Sequence, residues 1–146
     1  MPISHIDGLY KHNKGIYVIS QFEVGNKKRG RFKIGMSNSS IFKRLDSYSI
    51  CFPAKEGFWV YDIVIFKQDK NMRTYEKRLH KQIKEKYGEI TTSSRLKGTE
   101  WFLLKRKELR FQITKFVKDN QEHIIRHIRG KRIIDMEILQ PDKRKN

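Results

Sequence analysis

The chain has 146 residues, enough to bury one hydrophobic core without disulfide or metal staples. Its 33 Lys and Arg against 16 Asp and Glu give a formal net charge of +17 and a sequence pI near 10.1. That imbalance favours a polyanion, with nucleic acid ahead of an anionic membrane because the cations are interleaved with apolar positions instead of gathered in one tail.

From the N-terminus, MPISHIDGLYKHNK lacks the apolar stretch of a signal peptide, so a non-secreted protein is expected. GIYVIS, Gly15 to Ser20, is β-branched and aromatic and reads as a strand, and FKIG, Phe32 to Gly35, as a second. GNKKRG between them supplies turn residues, which predicts a long-looped hairpin carrying Lys27, Lys28 and Arg29 at its tip. The glycine of KIG is expected to turn the chain sharply. Ser39 and Ser40 then cap a short helix from Ile41 to Tyr48, because their hydroxyls can accept the unpaired N–H groups of its first turn. Arg44 lies in that helix, so the corner brings backbone donors and a guanidinium towards one point where an anion can sit.

Cys51 is the single cysteine, which rules out an internal disulfide, and no Cys/His spacing suits zinc. Phe58 to Phe66, FWVYDIVIF, is apolar at nearly every position and predicts a central strand covered on both faces. It is too short to span a bilayer and contains Asp62. Met72 to Tyr87 places Met72, Tyr75, Leu79 and Ile83 on one helical stripe and Arg73, Lys77, Arg78, Lys81 and Lys84 on other faces. Thr91 to Gly98 reads as a loop and Gly98 to Leu104 as another short strand or an ordered return to the core. A second amphipathic helix is expected from about Glu108 to His127, ended by Gly130, with a possible short strand and a basic tail over 131–146. The sum is an α+β domain, a small mixed or antiparallel central sheet flanked by helices, with an added C-terminal helix. The expected division is an N-terminal extension over 1–14, a core domain over 15–104, a C-terminal helix over 105–130 and the tail.

Five short motifs occur in order: GIY at Gly15 to Tyr17, KIG at Lys33 to Gly35, Arg44 in the following helix, Glu76 with Leu79 and His80 in the next, and EWF at Glu100 to Phe102. Together they resemble the GIY-YIG nuclease superfamily, in its KIG-bearing branch common in phages and large DNA viruses. The resemblance implies a DNA endonuclease using one Mg²⁺ or Mn²⁺. Tyr17 would assist nucleophile activation, Arg44 would bind the phosphate and Glu76 would hold the ion. Lys33 stands where the family has tyrosine and would neutralise a phosphate, or act as a base only if burial lowered its pKa. His80, one turn after Glu76, is a candidate orienter or acid. Lys27, Lys28, Arg29, Arg73, Lys77 and Lys81 are the candidate nucleic-acid contacts, with RNA not excluded as the polymer.

Other readings of the same residues stand beside this one. Tyr17 can be a packed strand aromatic, Arg44 can cover apolar surface with its stem, and His123 and His127 are read as solvated and not as metal ligands. Trp101 and Phe102 are assigned to the core, with Glu100 turned to a local polar partner. The alternatives to an enzyme are a nucleic-acid-binding protein without turnover and a basic structural component of a viral particle beside neighbouring virion proteins. An intracellular or intravirion setting follows from either.

Overall fold

The computed structural model describes residues 13–41, 43–45, 59–88 and 101–129. Strands β1 (Gly15–Ser20), β2 (Gly30–Ser37), β3 (Trp59–Phe66), β4 (Trp101–Leu104) and β5 (Ile124–Arg129) form one sheet in the order β4-β2-β1-β3-β5. Every neighbouring pair is antiparallel. Two longer helices, α1 (Met72–Tyr87) and α2 (Arg106–Asp119), a short helical stretch at residues 41 and 43–45 and a 3₁₀ turn at Gln121–His123 complete an α+β fold. No helix among the described residues is long and apolar enough to cross a membrane.

The centre of the sheet is β1, and all six of its residues are buried. Alternation along the strand sends Ile16 and Val18 to one face, where they join Phe32, Ile34 and Val64 in a cluster with Met72, Tyr75, Leu79 and Ile83 of α1 and Leu109, Ile113 and Phe116 of α2. Each of these aliphatic side chains contributes roughly 1.5–3 kcal/mol through burial. Tyr17 and Ile19 take the other face, and the fully buried Ile41 lies so near β1 that a Cβ on Gly15 would stand 3.1 Å from its Cδ1. The expected strand is present over Trp59–Phe66 and buried from Val60 onwards, one place from the edge of the sheet because β5 pairs with its outer side; Phe58 lies outside the described residues.

That pairing corrects the expected second helix. It ends at Asp119, where Asn120 folds back and donates from Nδ2 to the Phe116 carbonyl at 2.8 Å. Ile124 and Ile128, counted on a helical stripe, instead belong to β5. Their spacing suits a helix; β-branched side chains and the open edge of β3 decide for a strand. His123 and His127 are therefore not helical neighbours. His127 shares a 2.7 Å hydrogen bond with Asp62 of β3, and Arg129 Nε lies 3.8 Å from the same carboxyl oxygen. Burial pushes the Asp62 carboxyl above the usual Asp range, opposed by the His127 hydrogen bond and by Arg129 and Arg110.

Both helix starts are locally satisfied. Asn71 Oδ1 accepts from the Arg73 N–H at 3.0 Å, and Glu108 accepts from the Lys105 N–H at 2.8 Å. Gly88 closes α1 at φ 83°, a left-handed conformation that glycine adopts without strain, and its N–H donates to the Lys84 carbonyl at 2.8 Å. The expected loop at Thr91 to Gly98, Glu100, Cys51 and the tail from 130 lie outside the described residues.

Candidate active site

The hairpin register sets Tyr17 opposite Gly35 and Ile19 opposite Lys33. A Cβ built on Gly35 would stand 2.4 Å from Tyr17 Oη and 2.5 Å from Cζ. The phenol thus lies across β2 in the volume that any other side chain at Gly35 would fill. The sharp turn expected at this glycine is not there: β2 runs on through Ser37, and Gly35 makes room within a strand.

In the described register, β4 pairs with β2 only from Gly30 to Lys33. Past that point the Ile34 carbonyl meets His80 of α1, whose Nε2 is 3.0 Å away, while the imidazole packs 5.0 Å from the Phe102 ring. A carbonyl oxygen only accepts, so this contact fixes the proton on Nε2 and, in the neutral ring, leaves Nδ1 as the acceptor nitrogen.

Two further connections bring the remaining groups to this edge. Ser40 caps as expected, its Oγ accepting from the Lys43 N–H at 3.2 Å while the Arg44 N–H donates to the Ser40 carbonyl at 3.1 Å. The expected extension of that helix beyond Leu45 lies outside the described residues. Asn38 Oδ1 accepts from the Met72 N–H at 2.8 Å, which ties the first residue of α1 to the end of β2. Reading the sequence missed Asn38; its one signal was its place in the polar run MSNSS. With α1 so placed, Arg73, Glu76, Lys77 and His80 recur at three- and four-residue spacing along one side.

The result is a cleft of about 440 Å³ lined by Tyr17, Lys33, Gly35, Arg44, Arg73, Glu76, Lys77 and His80, among others. All five candidate catalytic and metal residues border it, together with two of the six candidate nucleic-acid contacts. Lys33 is 8% exposed and Tyr17 1%, so both border the cleft as almost fully buried side chains. Four cations surround one carboxylate, an environment that attracts a phosphodiester. No group of three or more His, Cys, Asp or Glu that would cage a metal occurs among the described residues.

The other candidate contacts lie elsewhere. Lys27, Lys28 and Arg29 are exposed on the β1–β2 loop, and Arg29 Nε pairs with Glu108 at 3.3 Å. Lys81 faces a groove between α1 and α2 with Arg78, Lys86 and Lys115.

The model of the T5orf172 domain matches residues 14–118, from the residue before β1 to the last turn of α2, and so takes in every residue of the cleft. The chain belongs to the T5orf172 domain family. No curated protein and no solved structure matches it. The family match overturns the resemblance to the GIY-YIG superfamily, which is a different family. GIY and KIG have a local cause in this T5orf172 domain: facing strands pair a tyrosine with a glycine that leaves space for its ring. Short motifs of that kind report a hairpin's packing and do not identify a family.

Proposed function

We propose that this T5orf172 domain is a divalent-metal-dependent endonuclease acting on DNA. The observation that carries the reading is the cleft itself, where a tyrosine, a histidine with an acceptor nitrogen and one glutamate stand among Lys33, Arg44, Arg73 and Lys77. The association of T5orf172 domains with nuclease-like proteins of phages and bacteria supports it.

The donor set fits Mg²⁺ or Mn²⁺, since a hard cation of this kind keeps several waters and takes one or two carboxylates plus substrate phosphate oxygens. Glu76 would hold it together with the bound phosphodiester. When bound, the ion supplies charge neutralisation at the phosphoryl oxygens and acidifies a coordinated water. Arg44 directs its forked donors at the non-bridging oxygens, where charge builds in the transition state. Lys33 and Arg73 neutralise the same phosphate or its neighbour. His80 Nδ1 and Tyr17 Oη are the groups proposed to accept or relay a proton from the attacking water. Gly35 lets the phenol reach that position, and Asn38 fixes the distance of Glu76 and His80 from β2.

A single carboxylate among four cations also suits a domain that grips a phosphate without cutting it. Supercoiled plasmid incubated with Mn²⁺ separates the two. The expected outcome is nicking that is lost with EDTA, falls roughly 10²–10⁴-fold in Tyr17→Phe and falls about 10²–10³-fold in Arg44→Ala. Binding with no nicking under any divalent ion would leave the gripping domain as the function.

A further inference from the structure

A second cavity, of about 390 Å³, opens at the other end of β2, bordered by Phe22, Lys28, Arg31 and Trp101. Its volume falls in the roughly 300–1,000 Å³ range of small-ligand sites. Phe22 follows β1 by two residues and is 66% exposed, a large aromatic face held in water. Trp101 is buried, and its indole Nε1–H is the one buried side-chain polar atom among the described residues with no hydrogen-bond partner. A buried donor left without an acceptor costs about 1–3 kcal/mol, so a turn of the indole that brings Nε1 into the cavity Trp101 borders is favoured when an acceptor enters. Lys28 and Arg31 are exposed cations on the rim.

The strand β2 connects this cavity to the cleft. Arg31, Lys33 and Gly35 alternate onto one face, with Lys33 paired to Trp101 across β4. Arg31 and Gly35 are about 13 Å apart along the strand, a distance of roughly four base steps at 3.4 Å each. A phosphate in the cleft therefore leaves the same strand within reach of the second cavity.

We infer that this cavity receives one unpaired nucleobase of the strand whose phosphate occupies the cleft. The base stacks on Phe22, a base carbonyl oxygen accepts from Trp101 Nε1, and the flanking phosphates meet Arg31 and Lys28. The inference rests on the proposed function and deepens it: the substrate is DNA with an unpaired or extruded base near the cleft, since a paired base within a duplex has its ring faces covered by its neighbours.

The test is fluorescence anisotropy in EDTA with three probes of equal length: an oligothymidine strand, a fully abasic strand with the same number of phosphates, and a duplex. Wild type should bind the thymidine strand about 5- to 150-fold more tightly than the abasic one, the range of one base-on-aromatic stack. Phe22→Ala should erase most of that difference and leave duplex binding unchanged, while Phe22→Tyr retains it. Trp101→Phe, which keeps a ring and drops the N–H, should reduce the preference for thymidine over an adenine strand, because adenine has no carbonyl oxygen. If Phe22→Ala keeps the full difference between thymidine and abasic strands, the base site is wrong while binding of nucleic acid by the cleft stands. If wild type binds none of the three probes, both readings fall.

Discussion

Replacing Gly35 by alanine adds one methyl group at the point where Tyr17 crosses β2. The new Cβ would lie 2.4 Å from Tyr17 Oη, 2.5 Å from Cζ and 3.0 Å from Cε1, where ordinary contact begins at 3.4 Å. The phenol end of the ring must move by about 1 Å, a displacement that can cost about 100-fold in rate when the moved group serves the chemistry. Overpacking of this kind costs about 1–3 kcal/mol of stability, offset by about 0.4–1 kcal/mol because alanine restricts the unfolded chain. The decisive control is Tyr17→Leu, which lacks all three clashing atoms and still fills the inner part of the site. Urea unfolding followed by circular dichroism should give Gly35→Ala a clear destabilisation in wild type and almost none in the Tyr17→Leu background, a coupling of about 1–2 kcal/mol. Equal destabilisation in both backgrounds would refute the claim that Gly35 is there to admit the tyrosine.

Three further outcomes are expected. Asn38→Ala should cost about 1 kcal/mol by unfolding, as loss of an N-terminal acceptor does, and lower nicking by releasing the start of α1 from β2. Asp62→Asn should change the pH dependence of stability: the folded-state carboxyl is raised by burial, so wild type loses stability as pH climbs from about 4, where the unfolded chain ionises, through the raised value. Urea midpoints measured at successive pH values should show that fall in wild type and its absence in the variant; parallel curves would be the contrary result. Duplex affinity should weaken steeply with salt, with a log–log slope of roughly −3 to −4 if the four cleft cations each neutralise a phosphate, and Arg44→Ala should flatten it by about 0.9. An affinity indifferent to salt would speak for a protein partner.

Strands β1, β2 and β3 and helix α1 were legible because their signals were local. β-branched and aromatic runs with turn residues between them mark the hairpin, and the stripe Met72, Tyr75, Leu79, Ile83 marks the buried side of α1. The cleft residues were also readable as types, yet what unites them is not. Glu76 and His80 share a cleft with Tyr17 because Asn38 fastens α1 and because, in the described register, β4 pairs with β2 only as far as Lys33, two tertiary facts with no periodic trace. Gly35 was misread because a glycine at a strand end and a glycine under a tyrosine look alike until the pairing register is known. The end of α2 failed for a related reason: Ile124 and Ile128 fit a helix, and the open edge of β3 that recruits them lies about 60 residues away along the chain. The family was misassigned on motifs that reflect this same hairpin packing.

In the proposed reaction, Glu76 and a bound phosphodiester together complete a metal site inside a cationic cleft. Electron paramagnetic resonance of Mn²⁺ tests it directly, with the protein alone and with a phosphorothioate DNA that resists cleavage. Four cations beside one carboxylate disfavour a divalent ion until the phosphate arrives. Wild type should therefore hold Mn²⁺ weakly by itself and markedly more tightly with the DNA present, and Glu76→Gln should lose the DNA-linked gain while still binding the DNA. Equal Mn²⁺ binding by wild type and Glu76→Gln in the presence of DNA would contradict the account.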